Sequence, residues 1–308
     1  MKAVDSQMPP RARKLPCNRR ILLIMCSGGR KPSIANLIAS CRLPSRKPII
    51  EGGKIYVERA PVTANSDNWR QHLYENYVSS GQGGTGASAR FRPQKAAYQA
   101  IIRRHVPQDR STRILDLGCG AGGMLYFLKE AGYTRLHGVD YSAEMVELAH
   151  GAGLHDVQVG DLFQTLGQTQ DGSFDVIFTM DVLEHMTRRS LFTLVAEMRR
   201  VLAPGGRVIL HVPNAAGLFG SKIRYSDLTH ELAFTATSLR QLFQSLGFSR
   251  TECFEDRPLP RGLIRMMRAI IWEIGTLPLR LLHGAETGSF DCILSQNLTA
   301  VAYAPDKG

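Results

Sequence analysis

Two carboxylates and a run of glycines are the residues whose types and spacing could first do chemistry. In Asp116-Leu117-Gly118-Cys119-Gly120-Ala121-Gly122-Gly123, an acid precedes four closely spaced glycines. Glycines let a backbone turn tightly and approach a ligand, and the amides that open a following helix face whatever sits there. Two patterns overlap in this stretch. Gly118, Gly120 and Gly123 satisfy G-x-G-x-x-G, whereas Asp116, Gly118, Gly120 and Gly122 satisfy D-x-G-x-G-x-G. Asp140, twenty residues past Gly120, stands where a carboxylate can accept both hydroxyls of a ribose. By itself the loop leaves two ligands open: a nicotinamide dinucleotide and another adenosine-bearing cofactor.

Such a loop needs a strand before it and a helix after it, and the surrounding pattern supplies both. Ile114–Leu117, Leu136–Asp140, Asp156–Val159, Phe174–Thr179 and Arg207–Val212 read as strands, and Ser249–Phe254 and Asn297–Tyr303 add two more. Helical patterns cover Met124–Ala131, Ala143–His150, Arg189–Leu202 and Thr237–Leu246, with a turn at Pro204-Gly205-Gly206. Strands alternating with helices of this length require right-handed crossovers and a parallel sheet covered on both faces. The expected fold is therefore a doubly wound α/β sheet of seven mostly parallel strands. Before it, Asp67–Val78 and Gln94–His105 form a helical cap over residues 66–110, interrupted by the Gly/Ser-rich stretch 79–86. The nucleotide-type domain then occupies 111–305.

The chain has 308 residues and a formal charge of +11, but the charge is unevenly placed. Residues 1–60 contain thirteen Lys/Arg and three acids, a net of +10, so the remaining body is almost neutral at +1. Overall basicity therefore does not make the body a nucleic-acid binder. Residues 1–65 are Pro- and Arg-rich without a sustained helical or strand period, and are expected to be a basic tail. Six cysteines are scattered without a C-x-x-C pair, which argues against a zinc knuckle or a disulfide framework and for a reducing cytosol. No uncharged apolar run reaches the ~18 residues needed to span a bilayer.

Four motifs in order separate the ligands left open by the glycine loop. After Asp116–Gly123 and Asp140 come Phe174-Asp175-Val176-Ile177-Phe178-Thr179-Met180-Asp181-Val182-Leu183-Glu184-His185-Met186, and then Leu202-Ala203-Pro204-Gly205-Gly206 before a strand. Over about residues 68–305 the chain resembles the class I S-adenosylmethionine-dependent methyltransferases. Within them it resembles the branch that holds quinone O-methyltransferases and enzymes of surface-polysaccharide clusters. The resemblance implies S-adenosyl-L-methionine as cofactor, with no metal. Asp116, Gly118, Cys119, Gly120 and Gly122 would meet the amino-acid end of that cofactor. Asp140 would take the ribose hydroxyls, Tyr141 would flank the adenine, Asp161 and Leu162 would bond and pack the base, and Met180 would form the floor. An acid at the loop start suits a cationic sulfonium that carries no phosphate. Competing structural roles exist: Asp140 or Ser142 as a helix cap, Asp161 as a turn residue and Met180 as core packing.

Methyl transfer is an in-line displacement in which the enzyme mainly supplies orientation. A hydroxyl acceptor also calls for a base. Glu184, His185 and His230 are the expected catalytic residues, with His211 and Asp227 as further candidates; a histidine capping a loop is the structural alternative. The segment Asp227–Thr235 resembles the stretch before the substrate-side helix of the polysaccharide branch. One segment remains, the insertion 256–290 before the last strand. Within it Leu263, Met267, Ile270, Ile274 and Leu277 recur at three- and four-residue steps, with Arg261, Arg265, Arg268 and Arg280 off the stripe and Pro278 marking a bend. Core packing and contact with an anionic membrane surface through 261–282 both fit this pattern. The resulting expectation is a cytoplasmic O-methyltransferase, peripheral at the inner face of the membrane if 261–282 binds there, acting on a small-molecule or lipid-linked glycan acceptor. Two alternatives remain: a quinone-precursor O-methyltransferase, and a non-catalytic cofactor-fold protein with an RNA-associating tail. Met180-Asp181-Val182-Leu183 stands where an Asn/Asp-Pro-Pro-Tyr motif would mark amide or base methylation, which argues against nucleic acid as substrate.

Overall fold

The computed structural model describes residues 49–51, 54–56, 69, 73, 91, 94–259 and 262–307. Contacts divide the chain into two units, Met1–Thr63 and Ala64–Gly308. The expected tail otherwise lies outside the described residues, but within it Ile49–Glu51 pairs antiparallel with Lys54–Tyr56. This hairpin was not anticipated. Its strands are separated by Gly52-Gly53, a composition suited to a two-residue hairpin loop. Of the expected helix Asp67–Val78, Trp69 and Leu73 are described and helical, and the stretch 79–86 lies outside the described residues.

The second unit contains a seven-stranded sheet. Its elements in chain order are α1 (Lys95–His105), β1 (Arg113–Leu117), α2 (Gly123–Glu130), β2 (Arg135–Asp140), α3 (Ala143–Gly151) and β3 (Val157–Val159). They continue with α4 (Leu162–Gln168), β4 (Phe174–Met180), a 3₁₀ turn (Leu183–His185), α5 (Arg188–Val201), β5 (Leu202–Pro213) and α6 (Gly220–Arg224). The chain ends with α7 (Ala236–Ser245), β6 (Arg250–Glu255), α8 (Leu263–Thr287) and β7 (Asn297–Tyr303). The strand order is 3-2-1-4-5-7-6. All neighbours are parallel except β7, which runs antiparallel to both β5 and β6.

Alternation along the central strands explains why both faces are covered. Ile114, Val176, Phe178 and Ile209 enter one core with Ile102 of α1, Phe127 of α2 and Met145 of α3. Their neighbours Leu115, Ile177, Val208 and Leu210 enter the other, against Leu194 of α5 and Leu239 and Phe243 of α7. Strands apolar on both faces are what a sandwiched parallel sheet requires.

Three local readings change. Helix α4 was not anticipated; Asp161 caps it by accepting from the amides of Phe163 (2.9 Å) and Gln164 (3.0 Å). The expected turn Pro204-Gly205-Gly206 is absorbed into β5 as a bulge: Phe174 pairs with Leu202, and the next paired residue, Val176, meets Arg207. Helix α8 runs through Pro278 and on to Thr287.

Candidate active site

The glycine loop is the turn from β1 into α2. Gly118, Gly120 and Gly122 all have φ in the left-handed region, at 69°, 54° and 80°. They differ in what surrounds them. A methyl at Gly118 would lie 2.6 Å from Val182 Cγ2, and one at Gly122 would collide with Leu154, whereas Gly120 faces nothing within 4 Å. Gly118 and Gly122 are thus required by packing, and Gly120 opens onto free space at the carboxyl edge of the sheet, where ligands of doubly wound folds bind. Cys119 belongs to the loop through its backbone. Its amide, like that of Gly118, donates to the Val139 carbonyl, while its thiol is buried in the core and pushed up in pKa by that burial.

Asp140 ties the loop together. One carboxylate oxygen accepts the Gly120 amide at 2.7 Å and the other accepts the Ser142 amide at 2.9 Å. Burial raises its pKa, and these two bonds oppose the rise. Ser142, rather than Asp140, caps α3 through the Met145 amide. Asp116 is buried, and its Oδ1 has no hydrogen-bond partner. Burial first, and the Asp140 charge second, hold its carboxyl well above the ordinary range. An orphaned buried acid beside a left-handed glycine that opens onto free space suits a cationic, phosphate-free ligand: a positive group there would pair Asp116 and restore its ionisation. Tyr141 is exposed beside Asp140, Leu162 is partly buried at the start of α4, and Met180 is partly buried at the end of β4. Both cap bonds of Asp161 fall on Oδ1.

Sequence reasoning missed one residue here. Tyr98 of α1 packs against Phe127 of α2, and its ring lies 3.1 Å from the point a Gly123 methyl would occupy. Its phenol is raised in pKa by burial and then by the charges of Asp181 and Asp116, and its ring packs beside Gly123 at the start of α2. No motif signalled it, because only the packing of α1 on α2 brings Tyr98 near β1.

At the exit of β4 the chain turns through Asp181, whose φ of 58° makes it the one non-glycine residue in the left-handed region among the described residues. Asp181 Oδ1 bonds His211 Nδ1 at 2.5 Å, and His211 Nε2 bonds Asp256 Oδ2 at 2.7 Å. Partial burial disfavours the imidazolium, but the two carboxylates outweigh it and hold the His211 pKa well above its ordinary value. Clamped at both nitrogens, His211 cannot serve as the base considered from sequence; it ties β4, β5 and the end of β6 together.

The other histidines lie together. The His185 and His230 rings are 4.7 Å apart, and one ligand atom from each lies within 4.8 Å of a Glu184 oxygen and of the other. The loop that carries His230 is pinned by the Glu231 and Leu232 amides, both donating to the Glu184 carbonyl. Hydrogen bonds fix the proton on His185. The Thr229 hydroxyl donates to Asp227 Oδ1 at 2.6 Å, so Thr229 Oγ1 must accept from His185 Nδ1 at 2.8 Å. Its Nε2 then carries a lone pair. Burial, reinforced by His230, lowers the His185 pKa to about 4 and keeps the ring neutral. His230 Nδ1 is 3.0 Å from the Ile223 carbonyl, which can only accept. Glu184 is buried with Oε2 unpartnered, and burial followed by the Asp181 charge raises its pKa well above normal. Two imidazoles and a carboxyl in this arrangement could accept a proton. The same donor set could hold a divalent cation.

The chain's one Tyr-x-x-x-Lys spacing, Tyr303 to Lys307, gives the nicotinamide reading no support. Tyr303 pairs with Arg207 at the start of the β5 ladder, on the edge opposite the glycine loop. The chain is thus a doubly wound α/β protein with a glycine loop at the carboxyl edge of its sheet. A methyltransferase-domain family model matches residues 88–252, more than half of the chain. The chain therefore belongs to the S-adenosylmethionine-dependent methyltransferase family, and its cofactor is S-adenosyl-L-methionine.

Among its relatives, "Probable tocopherol O-methyltransferase, chloroplastic" of Oryza sativa is 29% identical over 46% of this chain and 41% of its own length. Norajmaline N-methyltransferase of Rauvolfia serpentina is 27% identical over 45% and 50%. The chain thus spans about half the length of the curated relatives it matches. A methyltransferase structure from Archaeoglobus fulgidus shares the fold with a TM-score of 0.53 and 21% identity, covering 70% of this chain and 96% of that one. A phosphoethanolamine N-methyltransferase from Haemonchus contortus does so with a TM-score of 0.52 and 18% identity, over 76% and 60%.

Proposed function

We propose that this chain methylates a hydroxyl oxygen on a small-molecule or lipid-linked glycan acceptor. The observation that carries the reading is the Asp227–Thr229–His185 series, which fixes a proton on Nδ1 and leaves Nε2 of a neutral imidazole as a base. Relatives act on different atoms: by their names one is an O-methyltransferase and another an N-methyltransferase. Family membership therefore does not choose the acceptor atom, and the argument rests on the site. Bound at the glycine loop, S-adenosyl-L-methionine supplies an electrophilic methyl on a cationic sulfonium. Asp116 would offset its positive charge, Gly120 would allow close approach, and Asp140, Tyr141, Asp161, Leu162 and Met180 would hold its nucleoside. His185 Nε2 would take the proton of the acceptor hydroxyl, and Asp227, through Thr229, would steady the imidazolium. Glu184, buried beside it, and His230 lie within reach of the same ring.

The test is an assay for S-adenosylhomocysteine release across glycan-lipid, quinol-precursor and amine acceptors, with calorimetry of cofactor binding. Asp116→Ala should abolish cofactor binding. His185→Gln should bind cofactor normally and lose turnover of hydroxyl acceptors. Turnover confined to amines, or undiminished in His185→Gln, would refute the reading, and turnover of quinol precursors alone would select the quinone alternative.

A further inference from the structure

Helix α8 is amphipathic in the inverted sense. A surface helix ordinarily turns its apolar stripe toward the core. Here the residues that meet the body are Ala269, Trp272, Thr276, Arg280 and His283, at steps of three and four. Arg280 holds this face in place by bonding both oxygens of the Glu255 carboxylate, at 2.9 and 2.7 Å, and the Cys292 carbonyl at 2.8 Å. The stripe read from sequence as core or membrane contact faces outward: Leu263, Met267, Ile270, Ile274, Leu277 and Leu281 are each half or more exposed. A contiguous apolar face of this kind marks an interaction surface.

Its position and charge indicate what covers it. Strand β6 runs antiparallel to β7, as does β5, so β6 ends at the same edge as β5, the edge of the glycine loop and His185. Asp256, one residue past β6, clamps His211, and Arg257 bridges Glu255 and Glu273 of α8. The helix is therefore rooted at the mouth of the site. Arg265 and Arg268 lie off the apolar stripe, are exposed, and have no acidic partner among the described residues, whereas Glu273 is neutralised by Arg257. An apolar face bordered by unpaired arginines is complementary to an anionic lipid surface. The first sixty residues of the chain add a net +10.

We propose that α8 docks the protein on an anionic lipid bilayer, lying in the interface with its apolar face down and presenting the site edge to the membrane. The proposal is independent of the acceptor and of the base, since it can be read without turnover. The full chain is floated with vesicles of phosphatidylcholine alone and of phosphatidylcholine with phosphatidylglycerol. The wild type should float with the anionic vesicles and weakly with the neutral ones. Ile270→Asp combined with Ile274→Asp should lower the bound fraction by about tenfold or more while leaving cofactor affinity unchanged. Arg265→Glu with Arg268→Glu should weaken binding and reduce its salt sensitivity. Failure of the wild type to float would overturn the proposal, as would undiminished flotation of the Ile270/Ile274 variant, which would assign binding to the basic N-terminal segment. A dimer by light scattering that the Ile270/Ile274 variant converts to monomer, without flotation of the wild type, would instead assign the face to a second copy.

Discussion

Thr229→Val tests the reading of His185 most sharply, because it keeps the side-chain shape while deleting one oxygen. Thr229 is buried, and its Oγ1 accepts the His185 proton and donates to Asp227. Asp227 keeps the Thr229 backbone amide at 2.8 Å, so its carboxylate retains one donor. Folding stability should drop by about 1–3 kcal/mol, the range for losing a buried bond to a charged partner together with a neutral one. The kinetic loss has a different origin. Without Thr229 Oγ1, the ring loses the hydrogen bond at Nδ1 that orients it and favours the tautomer with its lone pair on Nε2. A loss of about 1.4–2.7 kcal/mol of transition-state stabilisation, roughly 10- to 100-fold in kcat/KM, is expected. The pH profile separates this from a change of pKa. With the wild-type imidazole titrating near 4, the base is already neutral above about pH 5, so kcat/KM should be flat through neutrality as far as His185 is concerned. Thr229→Val keeps the backbone of residue 229, whose hydrogen bond raises the His185 pKa, so the acid limb should stay in place and the loss should appear on the plateau. The assay is single-acceptor kinetics from pH 5 to 9, with calorimetric cofactor binding as a control. A plateau within twofold of wild type would refute the proposed orientation of His185, as would a lost cofactor affinity that accounts for the whole effect.

Further outcomes follow from the same geometry. Gly118→Ala should destabilise the fold, because its methyl meets Val182 at 2.6 Å in a left-handed backbone, whereas Gly120→Ala should cost only about 1 kcal/mol in melting experiments and act mainly on cofactor affinity. The raised folded pKa of His211 makes its clamp stabilising in full below the unfolded value of about 6.5 and progressively lost as pH rises through the folded value. Wild-type protein should therefore lose more stability between neutral and alkaline pH than His211→Asn, and identical pH dependence would show that the clamp contributes nothing. If His185 acts as the base without a bound cation, dialysis against EDTA leaves turnover unchanged; activity lost to EDTA and restored by a divalent cation would transfer the role to a cation on Glu184, His185 and His230.

Much of the glycine loop and its flanking elements was legible in the sequence, because its signals are local. The left-handed turns at Gly118, Gly120 and Gly122 strongly favour glycine, and Asp116 and Asp140 stand at fixed distances along a strand–turn–helix–strand unit. Alternation of apolar residues likewise specified a sheet covered on both faces. The acceptor side was legible only as a set of candidate names. Sequence could not say that His211 is locked between Asp181 and Asp256, residues 30 positions before and 45 after it. Nor could it say that Thr229, 44 residues beyond His185, fixes the proton on that ring. Tyr98 lies beside Gly123 only because α1 packs on α2. The direction in which α8 turns its stripe was also open, since periodicity defines an apolar face without saying what that face meets. Local backbone preference and periodicity thus set the fold and the turns of the glycine loop. Which side chains become a base, a clamp or an exposed face depended on contacts between distant segments, which exist only once the chain has folded.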